Sequence, residues 1–205
     1  MHSMIQLKRA TEILNCPQFA SRMECANVIA AFRQVVAING TTGVRRLPNR
    51  IEVQGLTFGQ MGFEDVRKSL TQIRTRAIQA VEELYRPRQR LFIEFTLLSE
   101  MHPGDAHILH SDSEAQDGTG KWVPNHTPWR EFAMLLYLNT SRLDYGGGVL
   151  RFPELGRQII PEAGLLVGFP CGRTHQHEVT RIETGLRYSV SIWTTADGAR
   201  AERWP

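Results

Sequence analysis

The sequence is poor in cysteine, in charge of one sign and in long apolar runs. Its 205 residues include only three cysteines, Cys16, Cys25 and Cys171. An odd number without paired spacing excludes a disulfide framework and a cysteine-ligated zinc site. No segment approaches the roughly 20 apolar residues that a membrane span needs, and the opening stretch MHSMIQLKRATEIL has no apolar run of signal-peptide length. A cytoplasmic protein with no membrane partner is expected. Lys and Arg exceed Asp and Glu by 24 to 21, and the excess is spread along the chain, so nothing asks for nucleic acid. What is present is enough apolar material, 41% of residues, to bury one sizeable core, which predicts a single domain over 1–205. The sequence assigns no oligomeric state.

The chain changes character near residue 90. Before it, Ser21 and Glu24 form a capping box ahead of an apolar stretch from Met23 to Ile38 that ends at Asn39 and Gly40, predicting a helix. Val66, Leu70, Ile73, Ala77, Val81 and Leu84 fall on one stripe, with arginines and lysine elsewhere, and Pro87 stops this second helix. Both helices are expected to cover one outer sheet, making 1–90 a helical support region. Between them, residues 41–63 hold turn residues and short runs such as 51–53 that suit edge strands.

From Leu91 onward short apolar or alternating runs are punctuated by Gly, Pro and Asn. The runs at 91–98, 106–112, 131–138, 148–153, 157–160, 164–169, 176–180 and 186–194 predict about eight strands in a two-sheet jelly roll. Residues 113–130 are too long and polar for a tight hairpin, which marks them as a lid or binding segment.

The chemistry starts at His110 and Asp112. Two residues apart on a strand, both side chains project from one face, where one metal can meet them. His177 follows on a later strand. Two histidines and one carboxylate form a facial triad that suits iron(II) and leaves positions open for catalysis. The pair at 110 and 112 alone has a bland alternative, a surface histidine beside a surface aspartate. Ten residues after His177 stands Arg187; on a strand it shares a face with Ser189, Ser191 and Trp193, an odd row for a core and a plausible pocket wall. Its planar fork can grip the far carboxylate of a dicarboxylate that chelates the metal, and Tyr137 can add a phenolic donor. His107 has odd parity to His110, so on a regular strand it faces away and reads as a structural or surface histidine. His102, His126 and His175 receive the same reading. Glycines 146–148 read as a turn, not a phosphate loop.

These residues resemble the prolyl hydroxylase branch of the iron(II)- and 2-oxoglutarate-dependent oxygenases, over roughly residues 91–195. The parts come in the family's order: HSD at 110–112, WREF at 129–132, LYLN at 136–139, GGVLRFP at 147–153, PEAG at 161–164, FP at 169–170, HEV at 177–179, GLRY at 185–188 and SIW at 191–193. The resemblance implies a mainly β, cupin-like double-stranded β-helix with N-terminal helices on its outer sheet. It implies that His110, Asp112 and His177 bind Fe(II), that Arg187, with Tyr137, Ser189 and Trp193, holds 2-oxoglutarate, and that Arg130 and Trp129 meet substrate. Ascorbate is a candidate additional requirement. The implied reaction uses O2, releases succinate and CO2, and hydroxylates proline or another amino acid, free or in a peptide; Asp112 itself argues against the halogenase variant, in which a small residue replaces it. One departure is His107, where a tyrosine is common. The alternatives are a tailoring oxygenase for a small metabolite and a non-catalytic β-helix serving as a binding or sensing module.

Overall fold

A computed structural model describes residues 11–204; the expectation about the first ten residues lies outside them. Strand β1 (Leu14–Cys16) precedes helix α1 (Arg22–Ala37), the hairpin β2 (Val44–Leu47) and β3 (Arg50–Gln54), a short helix α2 (Leu56–Gln60) and the long helix α3 (Glu64–Tyr85). The second half runs through β4 (Phe92–Met101), β5 (His107–His110), β6 (Glu114–Gln116), β7 (Trp122–Pro124), β8 (Arg130–Tyr137), β9 (Tyr145–Gly147), β10 (Leu150–Phe152) and β11 (Arg157–Ile159). It ends with β12 (Leu166–Pro170), β13 (His177–Val179), β14 (Ile182–Gly185) and β15 (Arg187–Thr195).

A seven-stranded antiparallel sheet, ordered β1-β12-β8-β15-β4-β3-β2, faces a four-stranded one, ordered β11-β10-β13-β5. This is the double-stranded β-helix. The strands alternate between two cores, as a sheet covered on both faces requires. On β8, Met134 and Leu136 join the helices' Val28, Phe32, Leu70, Ile73 and Val81, while Ala133 and Tyr137 join Leu150, Phe152 and Val179 of the small sheet. On β15, Tyr188, Val190 and Ile192 go to the helix side, which leaves Arg187, Ser189, Ser191 and Trp193 pointing between the sheets. The expected row is formed, and both long helices lie on the outer face of the large sheet.

The helix signals act locally as predicted. Glu24 N–H donates to Ser21 Oγ at 3.1 Å and Ser21 N–H to Glu24 Oε2 at 2.8 Å, a reciprocal cap worth about 1 kcal/mol. Helix α3 ends at Arg86, whose φ of 49° is left-handed, just before Pro87. Its arginines do not all avoid the apolar stripe. Arg74 is buried, because the C-terminal segment folds back over it: Glu202 pairs with it at 2.9 Å and the Trp204 ring lies 3.8 Å from its guanidinium carbon. One further departure places residues 14–16 in the large sheet, where strand β1 pairs with β12. The edge strands expected between the helices form the β2–β3 hairpin, which extends that sheet beyond β4.

Candidate active site

His110 ends β5, and Asp112 lies two residues on, just beyond the strand. His177 opens β13, directly opposite His110 in the register of the small sheet. The three offer ligand atoms that all lie within 4.8 Å of one another. Each is aimed. The Nδ1 atoms of His110 and His177 face the carbonyl oxygens of Ile108 and His175 at 2.8 and 3.0 Å, which fixes them as N–H donors and turns each Nε2 toward the cluster. Trp193 Nε1–H donates to Asp112 Oδ1 at 3.1 Å, and Asp112 Oδ2, 3.8 Å from His177 Nε2, is buried without a hydrogen bond. A buried carboxylate oxygen left unpaired between two imidazole nitrogens fits a divalent cation. Burial, opposed by Asp112, pushes the His177 imidazole down to about 4, which keeps the ring neutral, as a ligand must be.

The cluster lines a cavity that Arg187, Ser189 and Ser191 also line. Arg187 is 2% exposed. Its Nη1 donates to Ser189 Oγ and Met101 Sδ, both at 3.1 Å, and its Nε has no partner. Among the described residues no carboxylate lies within ion-pair distance of it. Such a guanidinium is costly unless an anion arrives, so the arrangement fits a carboxylate brought by a ligand. Tyr137 and Tyr145 flank it, each with a buried hydroxyl that lacks a hydrogen bond; the Arg187 carbon is 5.1 Å from the Tyr137 ring centroid. Burial raises both phenols, and the guanidinium opposes the rise, so both remain protonated donors. Gly148 makes room for this group, since a Cβ there would stand 2.8 Å from Tyr145 and 2.9 Å from Arg187.

The cavity shares His107, His110, Asp112 and Trp193 with an outer cleft. One wall comes from the β2–β3 hairpin and the other from residues 125–127 and Arg130. The latter wall is pinned beside the metal cluster, because Thr127 Oγ1 donates to the Asp112 carbonyl at 2.8 Å and Ser111 and Ser113 both donate to the Cys171 carbonyl. Of residues 113–130, Asn125, His126, Thr127 and Arg130 line the cleft, and the segment contains a hairpin, β6 with β7, that the sequence did not signal. Arg130 reaches the cleft and pairs with Glu94 at 3.0 Å. Trp129 does not line it. Its indole donates to the same Glu94 at 3.1 Å, and Arg200 stacks on the ring.

His107 overturns its sequence reading. Four residues of β5, from His107 to His110, oppose three of β13, from His177 to Val179. This bulge absorbs the extra residue, pushes Ile108 and Leu109 outward and brings His107 onto the cavity side, stacked 6.1 Å from His110. Burial first, then the nearby Arg50 and Arg187, push it down to about 3. His126 also lines the cleft. His175 is structural as expected, buried with its Nε2 3.3 Å from the Glu12 carbonyl, and His102 pairs with Glu100. Tyr145 is a site residue that the sequence reading missed, since it stands in a turn run with no metal or carboxylate motif.

The family model for the 2OG-Fe(II) oxygenase superfamily matches residues 96–195, a span that contains the three clustered ligands and Arg187. Residues 96–195 are thus similar to that superfamily. The chain is also 28% identical over 112 residues to 2-oxoglutarate and iron-dependent oxygenase domain-containing protein 3 of Xenopus tropicalis, covering 52% of this chain and 33% of that protein. The chain spans about a third of the length of that curated relative. Two solved structures share the fold. A viral collagen prolyl hydroxylase from Paramecium bursaria Chlorella virus-1 superposes with a TM-score of 0.65 at 18% identity, covering 90% of this chain and 96% of that one. A Trichoplax adhaerens prolyl hydroxylase in complex with a hypoxia inducible factor peptide superposes at 0.68 and 17%, covering 96% and 89%. The unpaired Asp112 oxygen and the anion-seeking guanidinium fit Fe(II) and 2-oxoglutarate, the groups for which the superfamily is named.

Proposed function

We propose that this oxygenase hydroxylates an unactivated C–H bond of an amino acid, with a prolyl residue in a peptide as the foremost candidate, and releases succinate and CO2. The observation that carries the reading is a single cavity lined both by the His110, Asp112 and His177 cluster and by a buried guanidinium without a counter-ion among the described residues. When bound, iron(II) and 2-oxoglutarate activate O2 and couple decarboxylation of the 2-oxo acid to oxidation of the substrate. The chain supplies aim and exclusion of water. His110, His177 and Asp112 Oδ2 hold the metal, and Trp193 keeps the carboxylate turned. Arg187, with the hydroxyls of Tyr137, Tyr145 and Ser189, takes the far carboxylate. The apolar ring of Phe169, 4.6 Å from His177, closes that flank to water. His107 and Arg130 stand where a substrate entering the cleft passes, so they are positioned to orient it.

An open cleft suits a peptide better than a closed pocket would, and the Trichoplax relative of the same fold is held with one. The test is to supply iron(II), 2-oxoglutarate and O2, offer prolyl peptides and free amino acids, and follow succinate together with the mass of each substrate. Succinate formed in step with the gain of one oxygen atom is expected, and both are lost in Asp112→Ala. Substrates that stimulate no succinate and gain no oxygen would overturn the proposal.

A further inference from the structure

We infer that Glu52 recognises a cation carried by the substrate, an ammonium or guanidinium group presented in the outer cleft while the target carbon lies at the metal cluster. This deepens the hydroxylase reading and rests on it. Glu52, on β3, walls both the inner cavity and the outer cleft, beside Leu97 and His107. Its side chain is only 12% exposed, and carboxylates so covered normally accept hydrogen bonds. Among the described residues none reaches it.

Its nearest cations are Arg45 Nη1 and Arg50 Nη1, each 3.7 Å away and beyond hydrogen-bond distance. Both form long ion pairs with it, and neither donates a hydrogen bond. Arg50 is gripped on two prongs by Asp105, at 2.7 and 2.8 Å, and Arg45 is 70% exposed, where water screens it. Arg45 and His126 also line the cleft, Arg130 there is paired with Glu94, and Asp112 belongs to the His110, Asp112 and His177 cluster. Glu52 therefore keeps unused acceptor capacity facing the space where substrate binds. Phe95 and Leu97 lie beside it in the cleft, and they offer an apolar bed for the methylene stem of a lysine- or arginine-like group whose head reaches the carboxylate. A substrate carboxylate at this point would be repelled. A charge-assisted hydrogen bond in such a covered place favours a cationic substrate over its neutral isostere by about ten- to a hundredfold.

The test uses the protein loaded with iron(II) and 2-oxoglutarate, a position-scanned library of short prolyl peptides, and free amino acids, each present with N-acetylated and norleucine counterparts. Oxygen gain is read by mass spectrometry for wild type, Glu52→Gln and Glu52→Lys, and the visible iron–2-oxo acid absorption is recorded for each. Products from wild type should favour lysine, arginine or a free ammonium at least tenfold. Glu52→Gln should lose that preference with its absorption intact, and Glu52→Lys should turn it toward acidic members. Products without charge preference, or a preference unchanged in Glu52→Gln, would overturn the inference and leave the hydroxylase reading standing. Absorption without any oxygenated product would overturn the amino-acid and peptide reading, and this inference with it.

Discussion

Asp112 divides its two oxygens between two tasks: Oδ1 accepts the Trp193 indole N–H, and Oδ2 is left without a protein partner. The indole is itself held between Phe95, stacked at 6.2 Å, and the Arg130 guanidinium at 4.2 Å, so the carboxylate's aim depends on packing that starts at the cleft. Trp193→Phe keeps the ring and removes the donor. Because outer partners of metal ligands typically contribute ten- to a hundredfold to affinity, this variant should need roughly tenfold more iron(II) for half-loading in an anaerobic titration, at unchanged fold. An unchanged titration would detach Trp193 from the metal cluster. Parity alone made the row of Arg187, Ser189, Ser191 and Trp193 legible in the sequence, since β15 is regular there. It misplaced His107, because a bulge in β5 breaks the alternation that parity assumes. Glu52 and Tyr145 were illegible for another reason: each acquires its role from neighbours distant in sequence, and neither belongs to a motif.

Among the elements, those specified by local rules were readable. The capping box at Ser21 and Glu24 and the stop at Pro87 predicted α1 and α3 to within a residue or two, because both signals act through backbone groups of the same turn. Strand β1 and the β6–β7 hairpin have three residues each and gain their order from pairing with other segments, which no local pattern announces. Burial of Arg74 likewise required the C-terminal segment to return with Glu202 and Trp204. The glycine run at 146–148 reads as a turn and does turn the chain, yet it also has a packing duty. Gly148 has a φ of +67°, and a Cβ there would press on Tyr145, Arg187 and Ile182 at 2.8 to 2.9 Å. Gly148→Ala should therefore cost about 1–3 kcal/mol in thermal or denaturant unfolding, and it should raise the 2-oxoglutarate concentration needed for half-saturation by displacing Arg187. A variant with normal stability and normal saturation would contradict that packing.

At the scale of the whole molecule, the two sheets bury imidazoles in their neutral form. His107 and His177 are pushed down to about 3 and 4, and His175 is lowered too, in each case chiefly by burial. In the unfolded chain these rings take up protons as pH falls through about 6.5, while the folded metal-free protein does not bind them until the pH is far lower. The unfolded state thus holds more protons between about pH 6.5 and 4, and stability falls with acidification across that window. The melting temperature of metal-free protein should be lower at pH 5 than at pH 7, and His107→Asn should flatten the dependence. A flat profile in the wild type would show that these rings are not buried neutral.

On the proposed reading, one cavity joins a metal-binding set of side chains to a guanidinium that takes the ligand's far carboxylate. That link is tested most directly by adding iron(II) and 2-oxoglutarate to the protein without oxygen and recording the visible charge-transfer absorption of the chelate in wild type, His177→Ala and Arg187→Ala. The account predicts a band in the wild type, its loss in His177→Ala, and a band in Arg187→Ala that needs roughly ten- to a hundredfold more 2-oxoglutarate. Iron-loaded wild type that gives no band, or a band that saturates at the same 2-oxoglutarate concentration without Arg187, would contradict it.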